Sequence, residues 1–246
     1  MTKRSAPASS LQQQPCNVPV GGIQKLSLVD FPGRVAAALF TAGCNMRCGY
    51  CHNPELVLPE RLAPSIPIDH IMMFLESRIG RLDGVVVSGG EPTVHDDLPE
   101  LIRRIKALGF DVKLDSNGTR PEMIRQLIRD KQIDFVAMDI KGPLEKYVEI
   151  AARPIDLDAI QETIALLIES GIKHEFRTTI VREQLEPNDF HKIGEMVRGG
   201  QRFALQHFRS GTTLFPQFEN ATTFSDDEFQ QTKQIMEGYV DKCVIH

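Results

Sequence analysis

No run of apolar residues approaches the ~20 that a helix needs to cross a bilayer, so a helical membrane span is excluded. Lys3 and Arg4 stand near the N-terminus with no apolar stretch behind them, which argues against a secretory leader. There is no concentrated basic patch. The 28 basic and 33 acidic residues are mixed along the chain and leave a formal charge of −5, so neither nucleic acid nor a membrane is an expected partner. Cysteine is scarce, with five in 246 residues. A secreted disulfide scaffold carries more, dispersed and even in number. This usage suits a reducing, cytoplasmic setting. There is no internal repeat and no heptad pattern, which sets aside solenoids and coiled coils.

What is present suits one globular domain. The chain is 41% hydrophobic and long enough to bury a substantial core. Residues 1–18, rich in Ser, Pro and Gln, have little to bury and read as a mobile tail. A transit peptide is a lesser reading of the same acid-free stretch. Residues 19–246 read as a single domain. Six short apolar runs read as strands: 35–41, 84–88, 111–116, 134–140, 174–181 and 202–208. Several are apolar almost throughout, as parallel strands covered on both faces are. Between them the apolar residues take the helical period. Leu98, Leu101, Ile102, Ile105 and Leu108 form one stripe, and Leu157, Ile160, Ile164, Leu167 and Ile168 another. Pro121 suits the first position of a third helix, and Ser225 the N-cap of a last one over 225–240. Strands alternating with helices imply a right-handed parallel α/β sheet. The count is two units short of a closed eight-unit barrel. An open doubly wound sheet and a three-quarter barrel both remain.

Three of the five cysteines fall within eight residues: Cys44, Cys48 and Cys51, spaced C-x3-C-x2-C. They follow the first strand directly, where β/α folds place their chemistry. Thiolates are soft ligands that select zinc or iron–sulfur clusters. A structural zinc site takes four ligands, usually as two separated pairs. The pairing is missing here, and zinc would need His52, adjacent to Cys51, as its fourth ligand. A [4Fe–4S] cluster usually takes four cysteines. With three, one iron is left open to a small molecule. Cys16 and Cys243, at opposite ends of the chain, read as a tail thiol and an ordinary C-terminal residue.

The motif, with Tyr50 just before its last cysteine, resembles the signature of the radical S-adenosylmethionine (SAM) superfamily. That resemblance implies an α/β fold of the partial (β/α)6 barrel type. It implies two cofactors: a [4Fe–4S] cluster on Cys44, Cys48 and Cys51, and S-adenosyl-L-methionine. The amino and carboxylate groups of SAM would chelate the open iron. An electron from the cluster would cleave the sulfonium and release a 5′-deoxyadenosyl radical. The Tyr50 ring would pack on adenine.

Three further stretches gain meaning from the resemblance. "SGGEP" (88–92) ends the second strand. Alone it is a glycine turn that lets a ligand approach the backbone. The resemblance places the methionyl ammonium at Gly89, Gly90 and Glu91. "LDSNG" (114–118) ends the third strand and alone reads as an Asn-Gly turn. The resemblance puts Ser116 and Asn117 at the SAM-facing rim. Many relatives carry threonine where this chain has Ser116, and the hydroxyl is kept. "MDIKG" (138–142) ends the fourth strand. Asp139 and Lys141 are two apart and point to one side. A strand-end salt bridge is the plain alternative; the resemblance assigns them to the ribose and carboxylate of SAM. Farther on, Arg177 and Thr179 share one face, and His174 and Thr178 the other. On the sixth strand Gln206 is preferred inside, with His207 as a shoulder residue, because a one-residue slip reverses the face.

"SLVDFPG" (27–33) followed by "CNMRCGYCHNPEL" (44–56) resembles the anaerobic ribonucleoside-triphosphate reductase activating proteins. Pyruvate formate-lyase activators are similar but weaker matches. The implied partner is a glycyl-radical enzyme, the anaerobic ribonucleotide reductase catalytic subunit. The implied electron donor is a flavodoxin or ferredoxin-like protein. Two alternatives stay open. One is radical chemistry on a small molecule, such as a pterin rearranged to a deazapurine. The other is a non-catalytic iron–sulfur or zinc module that does not bind SAM.

Overall fold

The computed structural model describes residues 15–246. Residues 1–14, most of the stretch read as a tail, lie outside the described residues. Asn17 and Val18, from the end of that stretch, lie against the folded domain. The Asn17 amide donates to Asp97 Oδ2 (2.8 Å) and Val18 is buried.

All six strands read from the sequence are present: β2 (Ala36–Thr41), β3 (Gly84–Gly89), β4 (Asp111–Ser116), β5 (Phe135–Asp139), β6 (Lys173–Ile180) and β7 (Phe203–His207). They pair in chain order and in parallel. Two more strands extend the sheet. β1 (Val20–Ser27) runs antiparallel to β2, and β8 (Cys243–Ile245) runs parallel to β7. The eight-stranded sheet is open, with β1 and β8 at its edges. The architecture is a partial parallel barrel with one strand added at each side.

Helices cover the outside of this sheet: α1 (Pro54–Val57), α2 (Ile68–Glu76), α3 (Leu98–Ala107), α4 (Pro121–Arg129), α5 (Leu144–Ala151), α6 (Leu157–Glu169), α7 (Asp189–Met196) and α8 (Asp226–Met236). Their starts follow local chemistry. Pro121 opens α4, and the Asp156 side chain accepts from Asp158 N and Ala159 N at the head of α6. Ser225 and Glu228 form a reciprocal capping box on α8. No helix among the described residues is long and apolar enough to cross a membrane.

The period of two divides each strand between two environments. Ala37, Leu39, Val85, Val87, Val112, Leu114, Val136 and Met138 join the main core beneath the helices. The alternate residues Ala36, Ala38, Val86, Phe135 and Ala137 form a second cluster inside the barrel, with Phe31 against Phe135. Ala36, Ala38 and Ala137, the small members of this inner set, leave space above them. That space holds the polar groups of the candidate site.

Candidate active site

A cavity of about 300 Å³ opens at the C-terminal ends of the strands. It is lined by Cys44, Cys48, Tyr50, Cys51, Gly89, Gly90, Glu91, Ser116, Asn117, Asp139, Lys141 and Gln206. Every residue singled out from the motifs therefore meets in one place, although they come from the loops or ends of five strands. Gln206 faces the cavity, where its Oε1 accepts from Thr179 Oγ1 (3.3 Å). His207 turns away and packs on Phe229. Arg177 and Thr179 face inward, whereas His174 and Thr178 are buried on the other side.

The cysteine loop is held from several directions. Gly43 N donates to Leu56 O (2.7 Å), and Arg47 N donates to Ala151 O (2.8 Å). Arg47 Nη1 donates to the carbonyls of Cys44 (2.6 Å) and Met46 (2.7 Å). The segment after β7 crosses back over the loop, with Leu214 N on Cys51 O (2.8 Å) and Phe215 N on Gly49 O (2.9 Å). His52 stacks on Phe208, and its Nδ1 lies 3.0 Å from Thr212 O. These contacts engage His52 as part of the loop support.

The three cysteines are free thiols. Burial, followed by the Glu91 charge, pushes the Cys44 thiol up to about 12, and burial also raises Cys48 and Cys51. Thiolates in such a place need metal coordination to offset their desolvation. Met46 N already donates to Cys44 Sγ (3.4 Å), a contact that favours a metal-bound thiolate. Among the described residues no three Cys, His, Asp or Glu groups converge as a single ion would require. The thiols instead line one wall of the wider cavity, which suits a cluster in which each thiolate takes its own iron. The residues fit a [4Fe–4S] group.

The glycines at the end of β3 are dictated by close approach. Gly89 has φ +122°, in the region that favours glycine, and a Cβ there would lie 2.3 Å from Thr41 N. A Cβ on Gly90 would lie 2.0 Å from Gly43 O. This closeness allows Gly90 N to donate to Thr41 O and Glu91 N to Gly43 O, both at 2.8 Å. Gly90→Ala is expected to displace the cysteine loop and to cost about 1–3 kcal/mol, as overpacking does. Iron bound after anaerobic reconstitution should fall well below the wild-type level; unchanged iron and melting temperature would contradict this.

The Glu91 carboxylate is only 1% exposed and is fully engaged. It accepts from Thr93 N (3.1 Å), Thr93 Oγ1 (2.5 Å), Ser116 Oγ (2.9 Å) and Asn117 N (2.6 Å). Burial pushes its pKa up against these donors.

Beneath the rim lies a ladder of alternating charge. Lys113 pairs with Asp115, and Arg177 Nη1 reaches Asp115 Oδ2 (3.1 Å). Arg177 Nε reaches Asp139 Oδ1 (2.8 Å), and Lys141 Nζ reaches Asp139 Oδ2 (3.1 Å). Burial pushes both carboxyls upward, but Arg177 and the neighbouring lysines outweigh it and hold them below the usual carboxylate range. The charge of Asp139 likewise overcomes desolvation and raises Lys141. Asp115 and Lys113 were not singled out from the sequence. Their one signal is the alternation of three charged residues, Asp111, Lys113 and Asp115, along one face of the strand.

Residues 39–194 match the Radical SAM superfamily. The chain is 34% identical over 231 residues, 92% of its length and 95% of the relative's, to a Methanocaldococcus jannaschii protein named as a glycyl-radical enzyme activating enzyme. It is 36% identical over 146 residues to the pyruvate formate-lyase-activating enzyme of Listeria monocytogenes, covering 54% of this chain and 58% of that one. Among solved structures, Streptococcus suis SuiB superposes with a TM-score of 0.64 at 14% identity. That match covers 83% of this chain and 47% of SuiB, and it bears on the fold alone. With three cysteines placed for a cluster at the mouth of a partial parallel barrel, this chain belongs to the radical SAM superfamily, and its cofactors are a [4Fe–4S] cluster and S-adenosylmethionine.

Proposed function

We propose that this radical SAM enzyme generates a glycyl radical on a partner enzyme, the anaerobic ribonucleotide reductase catalytic subunit. The observation that carries an activating role is the similarity to the M. jannaschii relative across nearly the whole of both chains. The choice of reductase rests on the "SLVDFPG" and "CNMRCGYCHNPEL" stretches, and the choice of a protein substrate is supported by the lining of the cavity. The two cations lining it, Lys141 and Arg177, are both paired with carboxylates. The wall at Thr179 and Gln206 is neutral. Such a wall suits a polypeptide main chain better than a phosphate-bearing small molecule.

When bound, the cluster and SAM supply a carbon-centred radical that removes a hydrogen atom. In this reading Cys44, Cys48 and Cys51 hold the cluster. The backbone of Gly89, Gly90 and Glu91 would hold the methionyl ammonium. Ser116 and Asn117 form the rim beside it. Asp139 takes the ribose, and Lys141 the SAM carboxylate. Gln206 closes the far side of the cofactor site. The partner's glycine loop would enter the barrel mouth, and a flavodoxin or ferredoxin-like protein would supply the electron. The Tyr50 ring packs on adenine. Tyr50→Ala should therefore weaken SAM binding about tenfold, the order of a lost aromatic stack, with iron content retained. Equilibrium dialysis and iron analysis separate the two. Lost iron with unchanged affinity would make Tyr50 a loop prop.

The deciding experiment mixes reduced, reconstituted protein and SAM, in parallel samples, with the reductase catalytic subunit, with pyruvate formate-lyase and with a candidate pterin substrate. A glycyl radical signal by EPR on the reductase supports the reading. A radical formed only on pyruvate formate-lyase would move the partner. Turnover of a small molecule with no radical on either protein would overturn the reading.

A further inference from the structure

The cysteine loop is tied to the SAM side of the cavity by a closed ring of three side chains. Asn117 Nδ2 donates to Asn45 Oδ1 (2.8 Å), Asn45 Nδ2 donates to Thr119 Oγ1 (2.7 Å), and Thr119 Oγ1 donates to Asn117 Oδ1 (2.7 Å). Each member gives one hydrogen bond and accepts one within the ring. The backbone fixes its direction. Thr119 N donates to Asn117 Oδ1 (3.1 Å), so that atom must be the oxygen. Asn117 Nδ2 must then meet an oxygen on Asn45, which leaves Asn45 Nδ2 to donate to Thr119. The amides can satisfy the ring in this one sense.

The ring is anchored on both sides. Asn45 lies between Cys44 and Cys48 in the metal loop. Asn117 N donates to Glu91 Oε2 (2.6 Å), and Thr163 Oγ1 on α6 donates to Gly118 O (2.7 Å). Three separate loops, after β2, β3 and β4, are joined through it. Asn117 lines the cavity, but Asn45 and Thr119 do not. Those two stand back from the cavity, yet they set the spacing between the cysteine loop and the rim.

We propose that Asn45 and Thr119 are positioning residues, which register the cysteine loop against the Asn117 rim so that the cluster's open iron and the SAM site meet at the correct separation. Neither residue touches the reacting atoms. The inference concerns cofactor geometry and holds whichever substrate receives the radical.

The test uses the full chain, anaerobically reconstituted, as wild type, Thr119→Val, Thr119→Ser, Asn45→Leu and Asn45→Leu/Thr119→Val. Iron content, SAM affinity by equilibrium dialysis, and the change in the reduced-cluster EPR spectrum on adding SAM are measured. Thr119→Val is isosteric and removes only the hydroxyl. It should keep wild-type iron, weaken SAM at least about five- to tenfold, as loss of the hydroxyl's two ring hydrogen bonds, to Asn45 and Asn117, implies, and diminish the SAM-induced spectral change. Thr119→Ser should behave as wild type. The double variant should be no weaker than the worse single variant, because either change opens the same ring. Wild-type affinity in Thr119→Val, equal loss in Thr119→Ser, or losses that multiply in the double variant would each overturn the proposal. So would iron loss in step with affinity. If Asn45→Leu fails to fold, the Val and Ser variants at position 119 decide the matter alone.

Discussion

Cys48→Ala should abolish reductive cleavage of SAM and leave the barrel folded. Cys48 lines the cavity beside Cys44 and Cys51, and none of the three is engaged in a disulfide. Its thiol pKa is raised by burial, so in the absence of metal it is neutral and removing it breaks no ion pair. The nearby turn is held by main-chain atoms, with Cys51 N donating to Cys48 O (3.0 Å), and alanine keeps that bond. The packing lost is one sulfur atom, about 1 kcal/mol. The functional loss is total, because two thiolates leave a second iron without a protein ligand. The readouts are 5′-deoxyadenosine formed with dithionite and SAM, and thermal unfolding followed by circular dichroism. Cys243→Ala is the matched control. That thiol is also buried, and burial pushes it up to about 12, but it lies on β8 and outside the cavity. It should cleave SAM as wild type does. Cleavage retained in Cys48→Ala would refute the assignment of the cluster ligands.

Six strands were legible because each carries an apolar face, continuous in β2, β3 and β5 and alternating with polar residues in β4 and β6, and that pattern survives without knowledge of the neighbours. β1 was not legible. "VGGIQKLS" carries two glycines, and its exposed middle reads as a loop. Its pairing with β2 is broken by two register shifts. β8 has three residues, too few for any period to show. The site was legible where chemistry is local. Three cysteines in eight residues and a Gly-Gly-Glu at a strand end declare themselves. The inward choice of Gln206 over His207 was ambiguous by one residue in sequence, and the pairing of Thr179 with Gln206 resolves it. What could not be read was interaction between elements. Asn45 is unremarked inside the cysteine motif until Asn117 and Thr119, more than seventy residues away, close the ring. Glu91 invites a ligand role, and only the fold shows four protein donors already on its carboxylate.

The charge ladder gives the largest expected change in stability. Lys113 is 2% exposed and Asp115 13%, so the pair is enclosed by protein. Among the described residues Asp115 is the one carboxylate paired with the Lys113 ammonium, whereas Arg177 also has Asp139. Asp115→Asn keeps the shape and the contact with Arg177 but leaves Lys113 without a counter-charge. Breaking a buried pair in this way costs about 3–5 kcal/mol, or roughly 10 °C in melting temperature for a chain of this size. Removing both partners is a different experiment. Lys113→Met/Asp115→Asn deletes the pair, leaves Arg177 on Asp139, and should recover most of the loss. The pH dependence gives a second check. Asp115 is held below the usual carboxylate range, so its contribution is fully present above its unfolded value of ~4. That contribution is lost as the pH falls through the lower folded value. The gap between wild type and Asp115→Asn should be widest near neutral pH and should narrow in acid. A gap that stayed constant to low pH would mean that the cost comes from packing, and a double variant as unstable as the single would show that Lys113 is not the group left exposed to the low-dielectric interior.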